Sequence, residues 1–179
     1  MASKVVIIYS SVDGQTKKIC EHLHQFLMQN AQEVELFSIQ ELHKNIDGFD
    51  KIIIASSIRY GKHNPEIEQL ISSHIPLLNS KKTVFVSVNL VARKEEKNKA
   101  NTNPYVIKFL NNTAWKPSIV EVFAGRLDYS KYTLTDRILI KLIMLITKGP
   151  VTAKQPIEYT DWDKVDELGA KILKIDQTH

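Results

Sequence analysis

The segment Ser10-Ser11-Val12-Asp13-Gly14-Gln15-Thr16 places three hydroxyls around one glycine and holds no basic residue. The hydroxyls of Ser10, Ser11 and Thr16 can donate to phosphate oxygens. Gly14 tolerates positive φ, so successive backbone N–H groups can turn inward and form an anion-binding nest. The segment runs from an apolar β-branched stretch into an amphipathic one, and a helix N-terminus there adds partial positive charge. Asp13 is the odd member: a carboxylate aimed at a phosphate would repel it, so Asp13 is expected to turn away or cap the helix. The pattern is neither a Walker A loop nor Gly-x-Gly-x-x-Gly. Taken alone, it also fits a plain strand-to-helix turn.

Two further loops carry groups suited to a flat ring. Ser57-Ile58-Arg59-Tyr60-Gly61-Lys62-His63-Asn64 offers an aromatic side chain, a glycine and three potential cations. An isoalloxazine would fit against Tyr60 and the backbone near Gly61. In Val88-Asn89-Leu90-Val91-Ala92-Arg93, Asn89 suits the pyrimidine edge of a flavin. Arg93 and Lys94 are placed to meet an acidic substrate. The Lys94–Lys99 charge run reads as a solvated segment. Gly125 follows another apolar run. Three of the chain's six glycines, Gly14, Gly61 and Gly125, thus fall just after such runs. That shared placement points to a ligand crevice, with FMN as the expected cofactor. The six histidines show no metal-ligand spacing, and only His63 lies near the expected site. No metal is expected.

The elements that must position these loops are legible as periodicity. Lys4–Tyr9, Lys51–Ser56 and Thr83–Val88 are short, nearly continuous β-branched runs, as in strands buried on both faces. Glu33–Ser38 alternates and suits an edge strand; Ile119–Ala124 is a fifth run. Helical patterns cover Gln15–Asn30, Pro65–Ile75, Tyr105–Asn112 and Asp161–Ile175, the last with Thr160 or Asp161 as cap. This alternation predicts one α/β domain over residues 1–179. Its expected form is a flavodoxin-like, doubly wound, five-stranded parallel sheet of order 2-1-3-4-5. Ligands of such sheets bind beyond the carboxyl ends of the strands. A receiver domain shares the order but needs acidic residues at the strand ends; here strand 1 ends Tyr9-Ser10 and strand 3 ends Ser56-Ser57.

Composition sets the outer limits. With 179 residues, 43% hydrophobic and 25% charged, the chain suits one sizeable core. The formal net charge of +4 permits anionic partners; no nucleic acid is expected among them. Cys20, the single cysteine, lies on an apolar helical face with Ile19, Leu23 and Leu27 and reads as a packed thiol. Nothing calls for an oxidising compartment. Met-Ala-Ser-Lys runs directly into strand with no basic and apolar leader, so a cytoplasmic location is expected.

Asp128–Pro156 does not fit the basic fold and reads as a helical insertion after or within strand 5. Thr133-Leu134-Thr135-Asp136 has the form of a capping box, and Lys148-Gly149-Pro150 that of a helix stop. Between them Ile, Leu and Met predominate, with Arg137, Lys141 and Lys148 on one stripe. Three uses are open to residues 134–148: ordinary packing on the domain, contact with a membrane interface, or a dimer contact.

Together, SSVDGQT, ASSIRYG, SVNLVARK, Trp115-Lys116-Pro117, AGRLDY, TDRILIKLIM and YTDW resemble the bacterial menaquinone-dependent protoporphyrinogen IX dehydrogenases. The resemblance runs in order over nearly the whole chain, and SVNLVARK and DRILIKLIM are its more specific parts. It implies FMN held non-covalently on a long-chain flavodoxin fold. The implied reaction is oxidation of protoporphyrinogen IX to protoporphyrin IX in haem biosynthesis. Electrons would pass to menaquinone or another quinone at the cytoplasmic face of the inner membrane. Carried onto this chain, the phosphate falls at Ser10–Thr16 and the isoalloxazine between Ser57–Gly61 and Val88–Arg93. Arg59, Arg93 and Lys94 are candidates to pair with the propionates, and no side chain need act as nucleophile. The rival readings are a flavodoxin-type electron carrier, an NAD(P)H-dependent quinone reductase, and a module that has lost FMN.

Overall fold

The computed structural model describes residues 3–130, 132–146, 148–152 and 155–175. The β-branched runs form β1 (Lys4–Ser10), β2 (Glu33–Ser38), β3 (Lys51–Ser57), β4 (Lys82–Val88) and β5 (Ile119–Phe123). All pair in parallel, in the order β2-β1-β3-β4-β5 expected from the sequence.

Alternate residues of the three central strands serve two cores, which is why these runs contain almost no polar residue. Val5, Ile7, Ile53, Val84 and Val86 pack beneath α1 (Gln15–Gln29) and α6 (Trp162–Lys174). Val6, Ile8, Ile52, Ile54 and Phe85 face α2 (Pro65–Ser73), α3 (Ile75–Ser80) and α4 (Pro104–Asn111). The helix expected over Pro65–Ile75 is instead split at His74. Pro76 cannot donate a helical amide, so it sits in the first turn of the new helix α3. Asp161, not Thr160, caps α6: its carboxylate accepts from the Lys164 N–H at 3.1 Å.

The insertion has a base that the sequence reading does not contain. β6 (Arg126–Leu127) and β7 (Ile157–Glu158) pair antiparallel and close its neck. Two-residue strands are too short to show a period. Above them Leu127, Tyr129, Tyr132 and Met144 form a small core with Leu90, Ile140, Ile157 and Tyr159. The insertion's helix is α5 (Leu134–Ile146). Its first turn realises only half of a capping box. Thr133 Oγ1 accepts from the Asp136 N–H at 3.3 Å, but the Asp136 carboxylate bonds the Thr133 hydroxyl rather than the cap amide. α5 buries Asp136 and Met144 and half-buries Leu139, Ile140 and Ile143. Leu134, Ile138, Leu142, Leu145 and Ile146 are exposed, at 77, 69, 52, 67 and 73%. Among the described residues no helix is long and apolar enough to cross a membrane.

Candidate functional site

The loops at the carboxyl ends of β1, β3, β4 and β5 meet in one cleft of about 470 Å³, and α5 lies across it. The first loop behaves as its composition requires. Gly14 adopts φ 91°, in the left-handed region that glycine enters without strain. Ser11 Oγ accepts the Gly14 N–H at 3.1 Å. α1 has no side-chain cap and no acidic residue in its first turn. Its first intrahelical bond runs from the Lys18 N–H to the Gly14 carbonyl, so the amides of Gln15, Thr16 and Lys17 point out of the helix end. The Thr16 hydroxyl is buried with no hydrogen-bond partner, and buried hydroxyls are rarely left so. An uncapped helix end beside an orphaned hydroxyl fits the phosphate of FMN. Asp13 is turned aside, toward the Arg59 guanidinium at 3.3 Å.

The second loop is a tight reversal. Arg59 and Lys62 exchange both backbone hydrogen bonds, at 2.9 and 3.1 Å. Tyr60 (φ 50°) and Gly61 (φ 76°) occupy the two left-handed positions of a type I′ turn. The turn leaves the Tyr60 side chain 65% exposed at the mouth of the cleft. The Ile58 N–H donates to the Val88 carbonyl at 3.0 Å and ties this loop to the next.

In that third loop Asn89 is buried and serves as a brace. Its Oδ1 accepts from the Ala92 N–H and from Asn103 Nδ2, each at 3.1 Å, and its Nδ2 donates to Ser87 Oγ at 3.3 Å. Asn103 in turn caps α4 and brings Tyr105 to the cleft wall.

The cleft wall includes Ser11, Asp13, Gln15, Thr16, Ser57, Ile58, Arg59, Tyr60, Gly61, Val88, Asn89, Leu90 and Gly125 from the sequence-predicted set. Ser10 is buried beneath the loop and Val12 is exposed outside it. Ala92 is buried behind the third loop. Arg93 lies off the wall: its Nη1 donates to the Leu90 carbonyl at 2.9 Å, and its guanidinium packs against Gly149 beyond the end of α5. Lys94 Nζ stands 3.9 Å from the Glu96 carboxylate. The wall residues the sequence reading missed are Val91, Tyr105, Arg126, Tyr132, Asp136, Leu139, Ile140 and Ile143. One signal for the last three was available: at helical spacing they form a stripe separate from Ile138, Leu142 and Leu145.

Charge at the cleft is organised around Arg59. Its Nη1 meets Asp13 and its Nη2 hydrogen-bonds Asp136, whose side chain is 4% exposed. The Tyr60 hydroxyl donates to the other Asp136 oxygen at 2.5 Å, and the Thr133 hydroxyl donates at 2.8 Å. The Tyr60 and Thr133 hydrogen bonds, with Arg59, hold the Asp136 carboxyl below the usual carboxylate range. The same carboxylate raises the Tyr60 phenol. His63 sits behind the cleft, between Phe85 and Phe109, with Nε2 2.9 Å from Ser87 Oγ. Burial lowers its pKa to about 4, so the ring is neutral. No group of three or more His, Cys, Asp or Glu able to hold a metal occurs among the described residues.

The family model described as a flavodoxin domain matches residues 6–154. A protoporphyrinogen IX dehydrogenase (quinone) of Escherichia coli is 36% identical over 173 residues, 96% of either chain. One of Leishmania major is 37% identical over 90% of this chain and 71% of its own. Among solved structures, oxidised flavodoxin 1 from Bacillus cereus superposes with TM-score 0.56 at 15% identity, covering 96% of this chain and 98% of that one. A flavodoxin from the domain Archaea does so with TM-score 0.54 at 12% identity, covering 96% of each. The crevice, its uncapped helix end and a 36% identity that spans 96% of either chain lead to one place: the chain belongs to the flavodoxin family, among its quinone-dependent protoporphyrinogen IX dehydrogenases.

Proposed function

We propose that this chain oxidises protoporphyrinogen IX to protoporphyrin IX with FMN seated in the cleft and menaquinone as acceptor. The observation that carries the reading is the cleft itself. An orphaned hydroxyl and free helix amides stand at one end, and a mainly aliphatic slot under α5 at the other. Bound FMN supplies the two-electron redox chemistry, and six electrons leave each porphyrinogen, so three rounds complete one turnover. The protein binds and orients. Ser11, Thr16 and the first amides of α1 hold the phosphate. Tyr60, Gly61, Val88, Asn89 and Leu90 flank the ring, and Leu139, Ile140 and Ile143 keep water from it. Of the propionate candidates, Arg93 and Lys94 stand off the cleft wall, on the loop after β4. Arg59 answers to two carboxylates already, and Arg126 on the wall joins the set.

The outer face of α5 supports a peripheral membrane position on the cytoplasmic side of the inner membrane. Its exposed Leu and Ile residues carry Lys141 among them, with Lys148 just beyond the helix end. That combination suits a helix lying at the headgroup boundary, where quinone is delivered.

The deciding experiment is anaerobic. Purified protein receives protoporphyrinogen IX with a soluble menaquinone analogue, and porphyrin fluorescence is followed. Enzyme-dependent porphyrin formation, with quinone reduced three to one, is expected. Quinone reduction by NADPH without porphyrin would establish the quinone-reductase reading. Protein that takes up FMN yet turns over neither substrate would establish the carrier.

A further inference from the structure

We propose that Asp136 is the positioning residue that docks α5 as a roof on the cleft, and that through Arg59 it makes roof docking and FMN binding reinforce one another. The inference rests on the FMN reading above. Asp136 is the buried polar side chain of a helix whose outer face is largely exposed. Its carboxylate leaves the capping box half made and reaches across to Arg59 and Tyr60, which lie 77 and 76 residues away in sequence. A buried carboxylate is costly unless it is paired and hydrogen-bonded, so the first turn of α5 has a strong preference for the place where both partners stand.

Arg59 carries the coupling onward. With Nη2 held by Asp136, its Nη1 faces Asp13 at 3.3 Å and draws that carboxylate out of the phosphate nest. A lifted roof removes one of the two anchors that fix the guanidinium. The Arg59–Asp13 pair can then shift together and carry the Asp13 carboxylate toward the amides of α1, where it repels the phosphate. Coupling of this kind is reciprocal: whatever Asp136 does for the phosphate, the phosphate does for α5.

The test uses full-length protein stripped of FMN and titrated back, read by quenching of flavin fluorescence and by hydrogen exchange over residues 134–146. In wild type, FMN slows exchange there. Asp136→Ala abolishes that slowing and weakens FMN about tenfold, within the usual span of coupling between two sites. Asp136→Asn keeps the shape and the Tyr60 bond and gives a smaller loss. Adding Asp13→Asn to Asp136→Ala restores part of the affinity, because no carboxylate remains to enter the nest; a purely structural role for Asp136 gives no such rescue. FMN affinity within twofold of wild type in Asp136→Ala, or equal slowing by FMN in both proteins, overturns the proposal. Should wild type take up no FMN, the cofactor reading fails separately. The clamp then stands or falls on whether Asp136→Ala exchanges faster than wild type over 134–146 without any ligand.

Discussion

Thr16 presents a hydroxyl that the fold buries and leaves without a partner. Such a group lowers the stability of the protein alone and gains its compensation from a ligand. Thr16→Val keeps the shape and removes the hydroxyl, so its two effects have opposite signs. FMN affinity falls by about 1.5–3 kcal/mol, the range for a hydrogen bond to a charged group. Stability of the FMN-free protein in urea holds or rises. Valine protein that binds FMN like wild type removes Thr16 from the phosphate site. His63 gives a second signature, in pH. The unfolded chain protonates this imidazole near 6.5, whereas the folded chain does so only near 4. The neutral buried ring therefore contributes fully above pH 6.5, and its contribution declines as pH falls toward 4, by about 3 kcal/mol at the lower end. Urea midpoints of wild type should drop through that window and those of His63→Gln much less; parallel curves would show that His63 does not set the slope. The left-handed turns at Gly14 and Gly61 and the place of Thr16 on the cleft wall were legible in the sequence because they follow from local backbone and loop position. Asp136 was not, because its role exists only once the chain has folded it against Arg59 and Tyr60.

Helices and strands carry the next level. The three central strands were readable because burial on both faces leaves their middles almost wholly apolar, with polar residues mainly toward the ends, and β2 because an edge strand alternates. The break at His74 was readable in principle from Pro76. The β6–β7 pair was not, since two residues have no period and their pairing spans the whole insertion. α5 is the instructive case. Its sequence is apolar nearly all round, yet the structure accounts for only one side: Leu139, Ile140 and Ile143 line the cleft, while Leu134, Ile138, Leu142, Leu145 and Ile146 are left uncovered. α6 offers a cleaner test of packing. Gly169 lies mid-helix against α1, and a Cβ there would stand 2.5 Å from Phe26 Cδ1. Alanine normally gains about 1 kcal/mol over glycine inside a helix, while overpacking costs roughly 1–3 kcal/mol. The ring edge is hemmed in by the α1–α6 interface, so the cost prevails. Gly169→Ala is expected to lower urea stability by about 1 kcal/mol with FMN binding intact. A stabilised variant would show that Phe26 moves aside freely.

At the scale of the molecule, an apolar outer face on α5, basic residues near it and a formal net charge of +4 act together. A 13-residue helix is about 20 Å long, too short for a hydrocarbon core of about 30 Å, so any lipid contact is along the surface. Two contributions would hold the protein there, and they respond differently to salt. Attraction of Lys141, Lys148 and the other cations to anionic headgroups is screened within about 10 Å at 0.1 M salt, whereas burial of the Leu and Ile side chains is not. Wild type should therefore float with vesicles containing phosphatidylglycerol at low salt and stay partly bound at high salt. Ile138→Glu with Leu142→Glu removes two apolar contacts and adds two charges of the wrong sign, each worth about 1 kcal/mol near the surface. Vesicle binding should fall by tenfold or more while FMN stays in place, because both residues face away from the cleft. Turnover with a membrane-embedded quinone should fall with it, and turnover with a soluble quinone should not. A double variant that floats like wild type removes this face from the membrane. One that loses instead a dimer seen by sedimentation assigns the face to a second copy of the chain.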